Sequence, residues 1–135
     1  MNKRIIIVLF LLFGMVSYVF SQESVSEPAR YRLYKTENFW TFLKLDTMTG
    51  QIWQVQYSIN GSAERLESVL NLTDITDELE LPKIVGRYTL YATTNTYNFI
   101  MLDQIDGYTF QVQWNIDRNS RFVIPIVSAG QKQPF

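Results

Sequence analysis

Asp46 and Asp103 are the two side chains whose type and spacing invite a catalytic reading. Each is a carboxylate that follows a leucine, and each has a glycine four residues later, Gly50 and Gly107. Two carboxyls about 5–10 Å apart on either side of a sugar are what glycoside hydrolysis requires. Other chemistries are scarce. The 135 residues contain no histidine, which removes the usual general base at neutral pH and the commonest metal ligand. A calcium site at Asp103 and Asp106 would need a run of oxygen ligands that this spacing does not supply. Hairpin chemistry accounts for both aspartates more simply. The carboxylate caps backbone N–H groups two residues on, and the glycine takes positive φ where the loop rejoins its strand. The sequence therefore predicts turn residues here, with no catalytic residue, metal or cofactor.

A binding reading rests on other residues. Gln54 and Gln56 recur as Gln111 and Gln113, each pair around a valine. Amides beside aromatic rings hydrogen-bond sugar hydroxyls or peptide backbone, and Trp40 and Tyr97 would supply the rings. Each also has a structural use: glutamine is tolerated on a solvated strand face, and large rings, Tyr34 and Tyr91 among them, commonly fill cores. Arg30 and Arg87 are expected to pair with an acid or stack on a ring. Asp46-Thr47-Met48 resembles a short O-glycosylation acceptor of exported bacterial proteins, and Asn60 and Asn71 begin N-x-[ST] sequons.

These residues are positioned by a repeat. Arg30 to Ile59 aligns without a gap on Arg87 to Ile116 at an offset of 57, with 14 of 30 pairs identical. In each copy a strand rich in aromatics (30–36, 87–93) leads through a turn to an apolar second strand (40–46, 97–103). A hairpin then leads to a third strand (51–59, 110–116) in which Trp53, Val55 and Tyr57, or Phe110, Val112 and Trp114, alternate with polar residues. Period two argues half-buried antiparallel strands. Fourth strands are expected at 65–71, where helix competes, and at 121–127, where Pro125 implies an edge. Between the copies, Asp74 is placed to cap a helical turn within linker 73–85. The expected fold is all-β: two repeated four-stranded meanders (30–72 and 86–128) in one domain (29–135). Their like faces would meet about a pseudo-twofold, as a sandwich or flattened barrel.

Leu45-Asp46-x-x-Thr49-Gly50-x-x-Trp53 resembles the turn in blades of quinoprotein-type β-propellers. The second copy keeps Leu102, Asp103 and Gly107. The resemblance implies a shared hairpin device that carries no cofactor residues, and two units fall short of the four to eight blades of a propeller. The paired RYxLYxTxN…FxxLD…G…QVQ text is similar to that of a group of small exported bacterial proteins of uncharacterised function, which implies no activity.

The N-terminus has the form of a secretory signal peptide over residues 1–21: a basic start, an apolar run and a Val19-x-Ser21 cleavage site. Residues 22–28 then form a flexible leader. Removing the signal leaves ten basic and thirteen acidic residues. That mild acidity offers no footprint for nucleic acid and no polybasic membrane patch. Once the signal is cleaved no stable membrane insertion is expected. With no cysteine, an exported domain must be held by its core alone. The chain reads as an exported module, periplasmic, cell-surface or secreted, without catalysis, that binds a glycan or another envelope protein. Assembly through edge strands is the alternative, and a carboxylate hydrolase the second.

Overall fold

The computed structural model describes residues 27–130. The expected signal peptide and residues 22–26 of the leader lie outside them. Eight strands follow in chain order: β1 Tyr31–Lys35, β2 Thr41–Asp46, β3 Ile52–Gln56, β4 Leu66–Asn71, β5 Tyr88–Ala92, β6 Asn98–Asp103, β7 Thr109–Gln113 and β8 Phe122–Ile126. They form two antiparallel sheets in meander order, β1-β2-β3-β4 and β5-β6-β7-β8. One short helix, α1 (Ile75–Glu78), lies between them. The all-β class and the division into two repeated meanders are as the sequence predicts.

Local chemistry explains the elements. In the β2–β3 hairpin, Asp46 Oδ1 accepts from the Met48 N–H at 2.9 Å, and Gly50 has φ +78°. Asp103 Oδ1 accepts from Ile105 N–H in the β6–β7 hairpin, where Gly107 has φ +80°. Asp74 caps α1 by accepting from the Asp77 N–H at 3.1 Å. The segment open to a helical reading is strand β4, which follows a 3-10 turn at Ser62–Glu64 and pairs with β3. Pro125 lies on the edge strand β8, where a missing N–H need not interrupt a ladder between central strands.

The sheets stack on each other around one core. The first sheet contributes Leu43, Leu45, Ile52 and Leu70, and the second Leu90, Phe99, Met101, Phe110, Val112 and Trp114. In register, Leu45 lies opposite Ile52 and Leu43 opposite Gln54, while Met101 lies opposite Phe110 and Phe99 opposite Val112. Burying such large apolar side chains contributes about 1.5–3 kcal/mol each. They do so without a disulfide.

The pseudo-twofold expectation is overturned. Moved back by 57 positions, the inward residues Leu90, Phe99, Met101, Phe110, Val112 and Trp114 become Leu33, Phe42, Lys44, Trp53, Val55 and Tyr57. None of those six is buried; they belong to the first sheet's outward parity. The first sheet instead turns its Leu43/Leu45/Gln54 parity inward. Two like units therefore meet through opposite faces, head to tail. Charge supplies the reason. Lys44 and Glu67 stand where the second sheet has buried Met101 and half-buried Val123, and burying charges is expensive. The face that carries them is left in water.

Candidate interaction surface

The two aspartates are fully engaged in structure. Asp46 Oδ2 takes both Arg30 Nε and Nη2 at 3.1 Å, while its other oxygen holds the turn. Asp103 Oδ2 takes Arg87 Nη1 at 2.7 Å, and Asp106 takes the same nitrogen at 2.7 Å. The arginines therefore pair with acids, and Arg30 also lies over the Tyr31 ring at 5.4 Å. The hydrogen bond to Asp46 raises the Arg30 guanidinium above its ordinary value. Burial pulls the Arg87 guanidinium down, but the hydrogen bonds it donates to Asp106 and Asp103 outweigh this, and the net direction is up.

The four glutamines do not share a face. Gln54 is 6% exposed, facing the second sheet, and its Oε1 accepts from the Asn115 N–H at 3.1 Å. That burial removes it as a contact for an external ligand. The cause is the inverted stacking, which turns its row inward. Gln111 and Gln113 keep the same parity and face outward on the second sheet. Gln111 Nε2 donates to Asn98 Oδ1 at 2.7 Å, and Gln113 Nε2 to Ser120 O at 2.8 Å. Gln56 is exposed at the mouth between the sheets. It lines a depression of about 230 Å³ with Ser68, Arg118 and Arg121. Arg121 crosses this mouth to Ser68 Oγ and Val69 O at 3.0 and 2.9 Å. Burial, and Arg118 beside it, lower its guanidinium from the ordinary value.

Trp40 and Tyr97 are also separated. Trp40 belongs to an aromatic corner on the first sheet, with Phe39 at 4.8 Å and Tyr57 at 5.3 Å between ring centroids. Phe39 is 73% exposed. An open depression of about 400 Å³ lies there, lined by Lys35, Thr36, Glu37, Asn38, Phe39 and Tyr57 among others. Tyr97 packs on buried Trp114 at 5.2 Å and is 44% exposed at the rim of the joint between sheets. The six candidate residues are thus dispersed over both outward faces and the joint.

The sequence reading missed the outward face of the first sheet. Leu33 is 62% exposed on one edge strand beside Tyr31, Val69 is exposed on the other, and half-buried Phe42, Trp53 and Val55 lie between them. Lys44 lies 4.7 Å above the Trp53 ring and pairs with Glu67. Its signal was the apolar character of β2 on both parities. Thr47, in the O-glycosylation triplet, is buried, donates to Ala29 O and accepts from the Gly86 N–H, so the folded chain does not present it. Asn60 is exposed. Among the described residues no group of three or more acidic side chains is placed to hold a metal ion, and no helix is long and apolar enough to cross a membrane.

No protein-family model matches this chain, and no curated protein or solved structure matches it.

Proposed function

We propose that this chain is an exported, non-catalytic interaction module whose working surfaces are its outward sheet faces. The observation that carries the reading is the apolar outward face of the first sheet. A sheet face left to water alternates toward polar residues, whereas this one offers Tyr31, Leu33, Phe42, Trp53, Val55 and Val69. Exposed and half-buried apolar side chains gathered around the Lys44–Glu67 pair in this way mark a contact surface. The engagement of Asp46 and Asp103 in turns and ion pairs supports the non-catalytic side of the reading.

The test is the hydrodynamic state of the tagged full-length chain in extracts of its own cells. A complex that Leu33→Glu disperses is the expected result. Migration at monomer mass, with no partner of any kind, would sink the reading.

The aromatic corner favours a second reading, glycan binding. Exposed Phe39, packed on Trp40, lies with Tyr57 and the polar groups of Glu37 and Asn38 around one depression, an arrangement suited to stacking on and hydrogen-bonding a sugar. Tryptophan fluorescence titrated with soluble polysaccharides should then respond, and Phe39→Ala should abolish the response. A flat titration with folded protein removes this reading alone.

A further inference from the structure

We infer that the two outward sheet faces are complementary halves of one contact, and that this chain docks head to tail on a second copy of itself. This rests on the reading of the chain as an interaction module and names the partner.

The joint inside the chain is the template. It presses one face of a repeat unit against the opposite face of the next unit. Each unit therefore keeps one face that its sister buries. On the outward face of the second sheet, Ile100, Leu102 and Gln111 occupy the positions of Leu43, Leu45 and Gln54, which face the joint. On the outward face of the first sheet, Phe42, Trp53 and Val55 occupy the positions of Phe99, Phe110 and Val112, which are buried against it. A second copy laid with its first sheet on the second sheet of the other repeats a joint the chain already makes.

Both surfaces carry exposed apolar side chains. Tyr91, Ile124 and Ile126 are exposed on one, and Tyr31, Leu33 and Val69 on the other. The outward parity of β5 to β8 holds no charged side chain. Lys44 and Glu67, on the opposing surface, pair with each other, so neither would be buried as a lone charge.

The polar contacts of the internal joint transpose as well. Gln54 accepts from the Asn115 N–H across the sheets. Gln111 and Ser58 are the matching residues for a joint between chains. Arg121, just before β8, reaches Ser68 and Val69 on β4. Arg65, just before β4, is the matching donor toward β8 of the other copy. The glutamine retained in both repeats thus has one task at each joint. Contacts between unlike faces propagate, closing into a ring or extending as a chain according to the rotation at each step.

The chain has no cysteine, so cross-links can be placed at will. In the internal joint β4 lies against β8; transposed, β4 of one copy lies against β8 of the other, where Val69 and Ile124 are exposed on the facing surfaces. Protein expressed from the full-length gene as Val69→Cys/Ile124→Cys should form a ladder of disulfide-linked chains under oxidation. Either single variant should yield far less. In sedimentation the wild type should run above monomer mass. Val55→Glu and Ile100→Glu should each run as folded monomers by circular dichroism, and their equimolar mixture should recover a dimer. Efficient cross-linking by either single variant, or a wild type that stays monomeric at its highest soluble concentration, overturns the inference. If the wild type alone is monomeric yet migrates with a different protein in native extracts, self-docking falls and the interaction reading stands. If it is monomeric in both, both fall.

Discussion

Asp46 and Asp103 each divide their oxygens between a turn and an arginine. The surroundings differ: Arg30 is half-exposed, whereas Arg87 is buried with its Nε unpartnered. Asparagine retains the turn acceptor and deletes the charge. Asp46→Asn should therefore lose the less of the two, because half-exposed Arg30 can be hydrated once its carboxylate partner is gone. Asp103→Asn leaves a buried guanidinium with Asp106 as its one remaining carboxylate and should lose about 3 kcal/mol, the scale of breaking a buried pair. Urea unfolding at neutral pH checks both, and equal losses would contradict the assignment. That each arginine pairs with an acid or stacks on a ring was legible in the sequence; which acid it meets was not. The burial of one arginine was not either, because it depends on how the two sheets pack.

The hairpins were the most legible elements, since Asp and Gly dictate their turn locally. The β1–β2 turn uses a device that the sequence reading passed over. Thr36 Oγ1 donates to Thr41 O and accepts from the Asn38 N–H, and Asn38 Oδ1 accepts from the Trp40 N–H. Thr93 and Asn95 repeat each bond. The identical Thr-x-Asn in both copies was its signal, hidden because hydroxyl and amide caps read as ordinary polar loop residues. Within the hairpins, the two glycines offer a matched comparison. Both have positive φ, so alanine at either should cost about 1–2 kcal/mol. At Gly107 a Cβ meets nothing, but at Gly50 it would sit 2.9 Å from Ile75 Cδ1. Gly50→Ala should therefore be the more damaging by a further 1–3 kcal/mol or so of overpacking, read as the difference in thermal midpoints. Equal midpoints would mean that α1 does not press on this hairpin.

At the scale of the molecule, the number of layers was legible and the way they meet was not. Strand β2 carries apolar residues on both parities, Phe42 on one and Leu43 and Leu45 on the other, so alternation could not say which face turns inward. The deciding residues are two charges, Lys44 and Glu67, that break the likeness between repeats. They keep the first sheet's outer face in water within one chain, and they also weaken its docking on another. Lys44→Met/Glu67→Val replaces that ion pair with the residue types found at Met101 and Val123 inside the internal joint. Exchanging a buried ion pair for well-packed apolar residues is often neutral or stabilising by about 1–4 kcal/mol, and about 1.4 kcal/mol is tenfold in affinity. Self-association measured by sedimentation should tighten about tenfold or more. The single variant Lys44→Met should weaken it, because Glu67 would then enter the joint unpaired. A double variant that associates no better than the wild type would show that this face does not enter the contact between chains.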